Sequence, residues 1–212
     1  MRDFKVLNDA VIKGDIKAAL AEAQSALDAG ANAQDILHNG LIAAMDEVGE
    51  RFSKGQMFVP QMLRSAKTMQ ECTKLLEPFF QEGDVISKGK VLIGTVKGDL
   101  HNIGKNLVSM MMEGAGFKIT DLGVDVSPEK FAEKAQEIQP DIVGMSALLS
   151  TTMTAMPKTI EALEKAGIRD KVKVMIGGAP VTEKYAQEIG ADSYASDAGS
   201  AVDKAKKLLG VD

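Results

Sequence analysis

Two histidines and one cysteine are all that the 212 residues contain of these types, tryptophan is absent, and aromatic residues make up 4%. A single cysteine cannot close an internal disulfide, which fits a reducing compartment. Positive charge is not in excess either. The formal net charge is −5 and the isoelectric point is near 5.2. A nucleic-acid binder would usually carry a basic face, so no nucleic-acid partner is expected. No apolar run approaches the roughly 18 residues of a membrane span. The opening "MRDFKVLNDAVIKGD" is charged throughout and has no signal-peptide core. The expectation is a cytoplasmic protein without a membrane partner.

Apolar residues (45%) and charged residues (26%) stand in ordinary globular balance. The length allows one large or two small domains with a sizeable core. Cys72 shares helical spacing with Met69 and Leu76, which reads as a small core thiol. Three adjacent methionines in "SMMME" (109–113) would point in different directions on a helix. They cannot converge on one ion, so they read as core filler.

The chain changes grammar near residue 85. Before it, the sequence reads as helix. A short helix is expected near 3–12. Asp15 caps "DIKAALAEAQSALDAG", which Gly30 ends. Asn32 caps a third run, where Leu37, Leu41, Met45, Val48 and Phe52 recur at steps of three or four. Pro60 opens a fourth, "PQMLRSAKTMQECTKLLEPFF". Four helices with short loops predict an antiparallel bundle over 1–85. His38, on the third helix, reads as a partly buried, hydrogen-bonded histidine. The polar "QEGDVISKGK" (81–90) reads as a linker.

Beyond it, short β-branched runs alternate with helical ones. Strands are expected at "KVLIGTV", "FKITDLG", "DIVGMSA", "VKVMIGG" and "ADSYAS". A helix follows each; Ser127 and Pro128 open the second, and Pro157 breaks the third early. Five β/α units over 86–212 predict an α/β fold, a parallel sheet with helices on both faces. Its ligand belongs at the carboxyl ends of the strands, at the switch point.

One turn at that edge stands out, "KGDLHNIGK" (97–105), because it holds the other histidine, His101. The turn is not a P-loop. Gly98 and Gly104-Lys105 are spaced one residue too far, and Asn106 replaces the Mg²⁺-binding hydroxyl. G-x-G-x-x-G is missing, and Asp141 stands at the start of the third strand, where a phospho-receiver needs an aspartate at its end. Asp99 is close enough to accept the His101 Nδ1–H, leaving Nε2 with a free lone pair. That pairing serves metal ligands and hydrolytic bases alike. No nucleophile elbow accompanies it, and a zinc site needs more ligands than the turn supplies. One protein ligand suffices where a macrocycle supplies the rest.

Here D-x-H-x-x-G (Asp99, His101, Gly104) resembles the corrinoid-binding signature of methionine synthase, the carbon-skeleton mutases and the small corrinoid proteins of methylotrophic methyltransferase systems. "MSALLSTTM" resembles the family's S-x-L segment (Ser146, Leu148), and "GGA" its Gly-Gly (Gly177, Gly178). The three signatures fall at three strand ends in the family's order. The helical half is similar to the cap of methyl-transferring corrinoid proteins through "ERFSKGQMFVPQMLRSAKTM" (50–69). The resemblance covers nearly the whole chain.

What the resemblance implies is specific. The fold is a helical cap (1–85) followed by a Rossmann-like cobalamin-binding domain (86–212). His101 ligates cobalt from below, and Asp99 and Thr152 complete a ligand triad. Gly98, Asn102, Ile103, Gly104, Ser146, Leu148, Ser150, Gly177, Gly178 and Asp197 line the corrinoid and its nucleotide tail. Phe52 and Val59 cover the upper, methyl face. The implied role is a methyl carrier that takes a methyl group on cob(I)alamin from a substrate-specific methyltransferase. It passes the group, as methylcobalamin, to a second methyltransferase with a tetrahydrofolate or thiol acceptor. A reductive activase is the third implied partner, and the 81–90 linker the implied hinge. The chain is then a component of a methyltransferase system without a complete active site of its own. A cobalamin sensor would normally add a basic DNA-binding domain, and a mutase small subunit would lack the cap.

Overall fold

The structure is a computed structural model that describes residues 3–80 and 87–211. It divides into two compact units, Met1–Ser87 with Glu113–Gly116, and Lys88–Met112 with Phe117–Asp212. The expected boundary at 85/86 and most of the expected linker lie outside the described residues.

The helical unit contains α1 (Lys5–Lys13), α2 (Ile16–Asp28), α3 (Ala33–Asp35), α4 (Ala43–Ser53) and α5 (Val59–Leu76). α3 and α4 are one continuous helical rod, because Ile36–Ile42 between them is wound as a π-helix. The sequence steps across this stretch look α-helical, so the wider turn was not expected. The Asn8 side chain donates to the Asn39 carbonyl at 3.1 Å and also to that of Gly40. Backbone oxygens that the wider winding turns outward are satisfied this way. Asp15 accepts from Ala18 N–H at 3.0 Å and Asn32 from Gln34 N–H at 2.7 Å, so both expected caps form. Gly30 follows the end of α2 with φ +80°. Ser65 is buried and donates to the Ile12 carbonyl at 2.9 Å, tying α5 to α1. Cys72, Met69 and Leu76 are core, and burial, then the Glu71 charge, pushes the thiol up to about 11. His38 is half-buried on the π turn.

The second unit is a five-stranded parallel sheet ordered β2-β1-β3-β4-β5. The strands are β1 (Lys90–Thr95), β2 (Lys118–Asp121), β3 (Ile142–Ser146), β4 (Lys173–Gly177) and β5 (Ser193–Ala195). Helices α6 (Ile103–Gly114), α7 (Pro128–Ile138), α8 (Ala155–Lys165), α9 (Glu183–Glu188) and α10 (Ala198–Leu209) alternate with them. Leu92, Val143, Met145, Val174 and Ile176 share one core with Phe131, Met156, Ile160 and Leu163 of α7 and α8. Val91, Ile93, Ile142 and Met175, at the alternate positions, are buried as well. Both faces are therefore covered, which explains why the strands read as continuous apolar runs rather than as alternation. Met111 and Met112 are buried as expected of core filler, but Met110 is exposed.

One expectation is corrected. Pro157 does not break its helix but lies in the first turn of α8, where its missing N–H has no intrahelical partner to lose.

The chain folds back on β1 to make β2 on one side, and then crosses to β3 on the other. Loops after β1 and β3 therefore leave adjacent strand ends, the place where open α/β sheets bind their ligands. The loop after β4 is pressed against the loop after β3. Gly178 has φ +127°, and a Cβ there would stand 1.9 Å from the Ala147 carbonyl oxygen. Gly178→Ala should lower stability by roughly 2–3 kcal/mol, read as a fall in urea midpoint at unchanged slope.

Candidate cofactor site

The loop after β1 carries Asp99 and His101. Asp99 is fully buried. A carboxylate there needs compensation for every lone pair it takes out of water. Four donors supply it. His101 N–H (3.0 Å) and His101 Nδ1 (2.7 Å) reach Oδ1; Leu148 N–H (2.7 Å) and the Thr152 hydroxyl (2.7 Å) reach Oδ2. One oxygen thus faces the loop after β1 and the other the loop after β3. Burial alone would raise the Asp99 pKa. The Thr152 hydroxyl, the two backbone N–H groups and the His101 ring overcome it and hold the carboxyl well below the usual range.

An ionised carboxylate only accepts, so the 2.7 Å contact requires the proton on His101 Nδ1. In the neutral ring Nε2 then keeps its lone pair. The imidazole is about half exposed (52%), so that lone pair is available at the sheet edge. The expected pairing of Asp99 with His101 and of Thr152 with Asp99 is present in full.

Backbone contacts hold the loop in place. Asp99 N–H donates to the Val96 carbonyl at 3.1 Å. Thr95, fully buried on β1, donates its hydroxyl to the His101 carbonyl at 2.8 Å. Lys105, the residue that gave the turn its P-loop look, is buried with its ammonium against Asp121 and Asn106. Its charge is taken up by Asp121, at the end of β2. Neither Thr95 nor the Lys105–Asp121 pair was read as part of the site, since a strand threonine and a loop lysine carry no local signal of these partners.

Large apolar side chains are exposed on both loops that meet at Asp99. Ile103 is 85% exposed and Leu100 71%, and Leu148 and Leu149 are exposed on the facing loop. A Cβ on Gly104 would meet no atom within 4 Å. No rule of the fold requires glycine there, so space above the backbone is what the residue supplies. Among the described residues, no three His, Cys, Asp or Glu side chains are grouped to hold an ion. A lone imidazole nitrogen on an open apolar ledge suits a metal that arrives with its other ligands already in a macrocycle.

Both halves of the chain match a family described as B12 binding domain, residues 4–77 and residues 89–203. The chain belongs to the B12-binding corrinoid proteins. It is 42% identical to trimethylamine corrinoid protein 1 of Methanosarcina acetivorans, covering 95% of this chain and 94% of that protein. Dimethylamine corrinoid protein 1 of the same organism is 44% identical, with 93% and 91% covered. Among solved structures, the methanol:cobalamin methyltransferase complex MtaBC of Methanosarcina barkeri superposes with a TM-score of 0.88 at 26% identity, covering 98% of this chain and 79% of that chain.

Other residues of this corrinoid protein that the sequence singled out are placed as follows. Gly98 (φ +84°) precedes Asp99, and the Thr152 methyl lies 3.7 Å from where its Cβ would be. Asn102 and Ile103 are exposed at the start of α6. Ser146 ends β3 half-buried, and Ser150 is exposed on the turn beyond. Gly177 ends β4, where a Cβ would lie 3.0 Å from the Ala195 carbonyl oxygen. Gly178 is thus already required by close backbone approach, and Gly177 sits in a tight one, before any nucleotide channel is considered. The Asp197 carboxylate caps α10, accepting from Ser200 N–H at 2.8 Å and from the Ser196 hydroxyl at 2.8 Å. In the helical unit Phe52 is half-buried near the end of α4, while Val59, at the start of α5, is exposed. Phe58, beside it and 70% exposed, was overlooked.

The Asp99 contacts set a stability test. Asp99→Asn would turn amide hydrogens toward existing donors and should cost about 2–3 kcal/mol at neutral pH. Because folding depresses the Asp99 pKa, its contribution is present above the unfolded value of about 3.9 and lost as pH falls toward the folded one. The gap between wild type and variant should therefore hold from pH 7 to about pH 5, start to narrow at about pH 4 and shrink progressively as pH falls further toward the folded value, as chemical denaturation at each pH would report.

Proposed function

We propose that the protein carries a methyl group on a bound corrinoid, between a substrate-specific methyltransferase and a second methyltransferase with a tetrahydrofolate or thiol acceptor. A reductive activase would serve the same site. The observation that supports this reading most is His101 itself, with Nδ1 tied to a buried carboxylate and Nε2 free at an apolar edge. The relatives named as trimethylamine and dimethylamine corrinoid proteins, and the neighbour MtaBC, support the same class.

In this reading His101 Nε2 is the lower cobalt ligand. Leu100, Ile103, Gly104 and Leu148 would lie against the ring, with Ser146, Ser150, Gly177, Gly178 and Asp197 toward the nucleotide tail. When bound, the corrinoid supplies a cobalt that alternates between accepting and giving up a methyl group. The chain controls what its own nitrogen offers. With its proton on Nδ1, the imidazole presents a lone pair at Nε2; a proton at Nε2 removes it. The Asp99 charge, 2.7 Å from Nδ1, is the counter-charge that a doubly protonated ring needs. Asp99 holds the ring rather than taking its proton, since four donors keep the carboxylate ionised. The Thr152 hydroxyl has two acceptors in reach, Asp99 Oδ2 at 2.7 Å and the Leu149 carbonyl at 2.9 Å. It can turn between them and so adjusts how firmly Asp99 is held. In the helical unit, Phe58 and Val59 are exposed apolar residues that would exclude water from a methyl group, with Phe52 behind them in sequence.

Two measurements test the proposal. Reconstituted with cobalamin and reduced to Co(II), the protein should show threefold nitrogen splitting in its electron paramagnetic resonance spectrum. Labelling histidine with ¹⁵N should make the splitting twofold, and His101→Ala should abolish that response. Splitting that stays threefold in labelled protein would sink the ligand assignment. Gly104→Ala should raise the stability of the cofactor-free protein by up to about 0.5 kcal/mol, since Ala is the better helix former. It should weaken cobalamin binding at least tenfold, as titration followed by fluorescence would show; unchanged affinity would argue that nothing packs on Gly104.

A further inference from the structure

Asp125 lies four residues beyond the end of β2, in a segment that the site described so far does not use. It has φ +55°, one of two non-glycine residues among those described with a positive value. Aspartate tolerates this left-handed conformation better than most residues, but does not prefer it. Something must hold it there.

The contacts of Asp125 converge on the ligand loop. Gly98 N–H donates to Asp125 Oδ1 at 2.8 Å, and Asp125 N–H donates to the Asp99 carbonyl at 2.9 Å. One residue therefore grips both ends of the Gly98–Asp99 dipeptide. The following residue, Val126, pairs with Val96 as an isolated parallel bridge, and its N–H donates to the Thr95 carbonyl at 3.0 Å. Asp125 is thus anchored to the end of β1 while it holds the loop that leaves it. The clamp is needed because Gly98, with no Cβ and φ +84°, leaves the backbone before Asp99 free to rotate. Rotation there would swing Asp99 away from His101, Leu148 and Thr152 together.

We propose that Asp125 is a positioning residue for the metal ligand, clamping residues 98 and 99 so that Asp99 meets the His101 imidazole in a single geometry. This rests on the reading of His101 as the lower ligand. The Gly98 N–H, and after it Lys97, hold the Asp125 carboxyl below its ordinary value, so the acceptor is ionised. Asp125 also pairs with Lys97 at 3.1 Å, but both side chains are largely exposed, and such pairs contribute little. The working contact is the acceptor at Oδ1, not the charge.

Two substitutions separate these contributions. Asp125→Gly accepts the positive φ and removes the acceptor. Asp125→Asn also accepts it, keeps an oxygen for Gly98 N–H and removes the charge. Hydrogen-exchange NMR on the cofactor-free protein reads the clamp directly. In D125G the His101 amide, which donates to Asp99 Oδ1, should exchange at least tenfold faster, with D125N close to wild type. In the cobalamin-loaded Co(II) protein with ¹⁵N-histidine, D125G should show a reduced fraction of the twofold-split species and D125N a wild-type fraction. Exchange and splitting in D125G equal to wild type would overturn the proposal. So would D125N matching D125G, which would place the effect in the charge. If wild type shows no histidine splitting at all, the ligand reading fails, and the exchange rates still decide whether Asp125 holds the loop.

Discussion

A carboxylate buried without access to water must be answered on every side, and at Asp99 that requirement organises the whole sheet edge. Its donors come from two separate loops: His101 from the one after β1, Leu148 and Thr152 from the one after β3. They meet because the strand order changes direction at β1, with β2 on one side and β3 on the other, which places the ends of the parallel β1 and β3 side by side. The same ionised group dictates which nitrogen of His101 carries the proton. Fold topology, burial and ring tautomer are therefore one connected constraint. Removing the crossover, the burial or the charge would each release Nε2 from its assigned state.

The glycines show how differently one residue type is used around this centre. Gly178 is glycine because the Ala147 carbonyl leaves no room for a Cβ. Gly98 carries a positive φ, and its missing side chain leaves space beside the Thr152 methyl. Gly104 has neither reason. It has no crowding neighbour within the protein and no positive φ. At the first turn of a helix, with Ile103 almost wholly exposed beside it, a glycine that the fold does not need is a statement about what packs on the outside. That distinction is invisible in the sequence, where all three belong equally to motifs.

Most of the architecture was legible because it rests on local chemistry. Helix caps at Asp15, Asn32 and Ser127, and strands covered on both faces, follow from patterns a few residues long. Asp99 and His101 could be paired from their spacing, but Thr152 could be joined to them only through a resemblance, since 53 residues separate it from Asp99. What escaped had no pattern of its own. The π turn keeps the α-helical spacing of apolar residues, and the side chain that satisfies its carbonyls, Asn8, lies on another helix. Thr95 looked like any β-branched strand residue, and its hydroxyl contact to His101 needs a turn geometry that composition does not encode. Phe58 sat inside a quoted motif, but its exposure, unlike that of half-buried Phe52, emerges only when the junction before α5 is built. Pro157 misled because proline breaks a helix only beyond its first turn, and the first turn of α8 begins later than the apolar pattern implied.

On the proposed reading, His101 must hold the cofactor firmly while the reactive side stays open to other proteins. In this chain the firmness is built from backbone contacts rather than from extra ligands. Thr95 fixes the carbonyl of His101, Val96 the amide of Asp99, and Asp125 the flanking atoms of Gly98 and Asp99. Each is a neutral or peripheral bond that leaves the imidazole itself with one strong partner. A second side chain on the ring would compete for Nδ1 and blur the tautomer. A second metal-binding side chain would compete with the macrocycle. Rigidity of the loop with a single contact to the ring is thus the arrangement that gives Nε2 a defined direction and leaves its occupancy free to change.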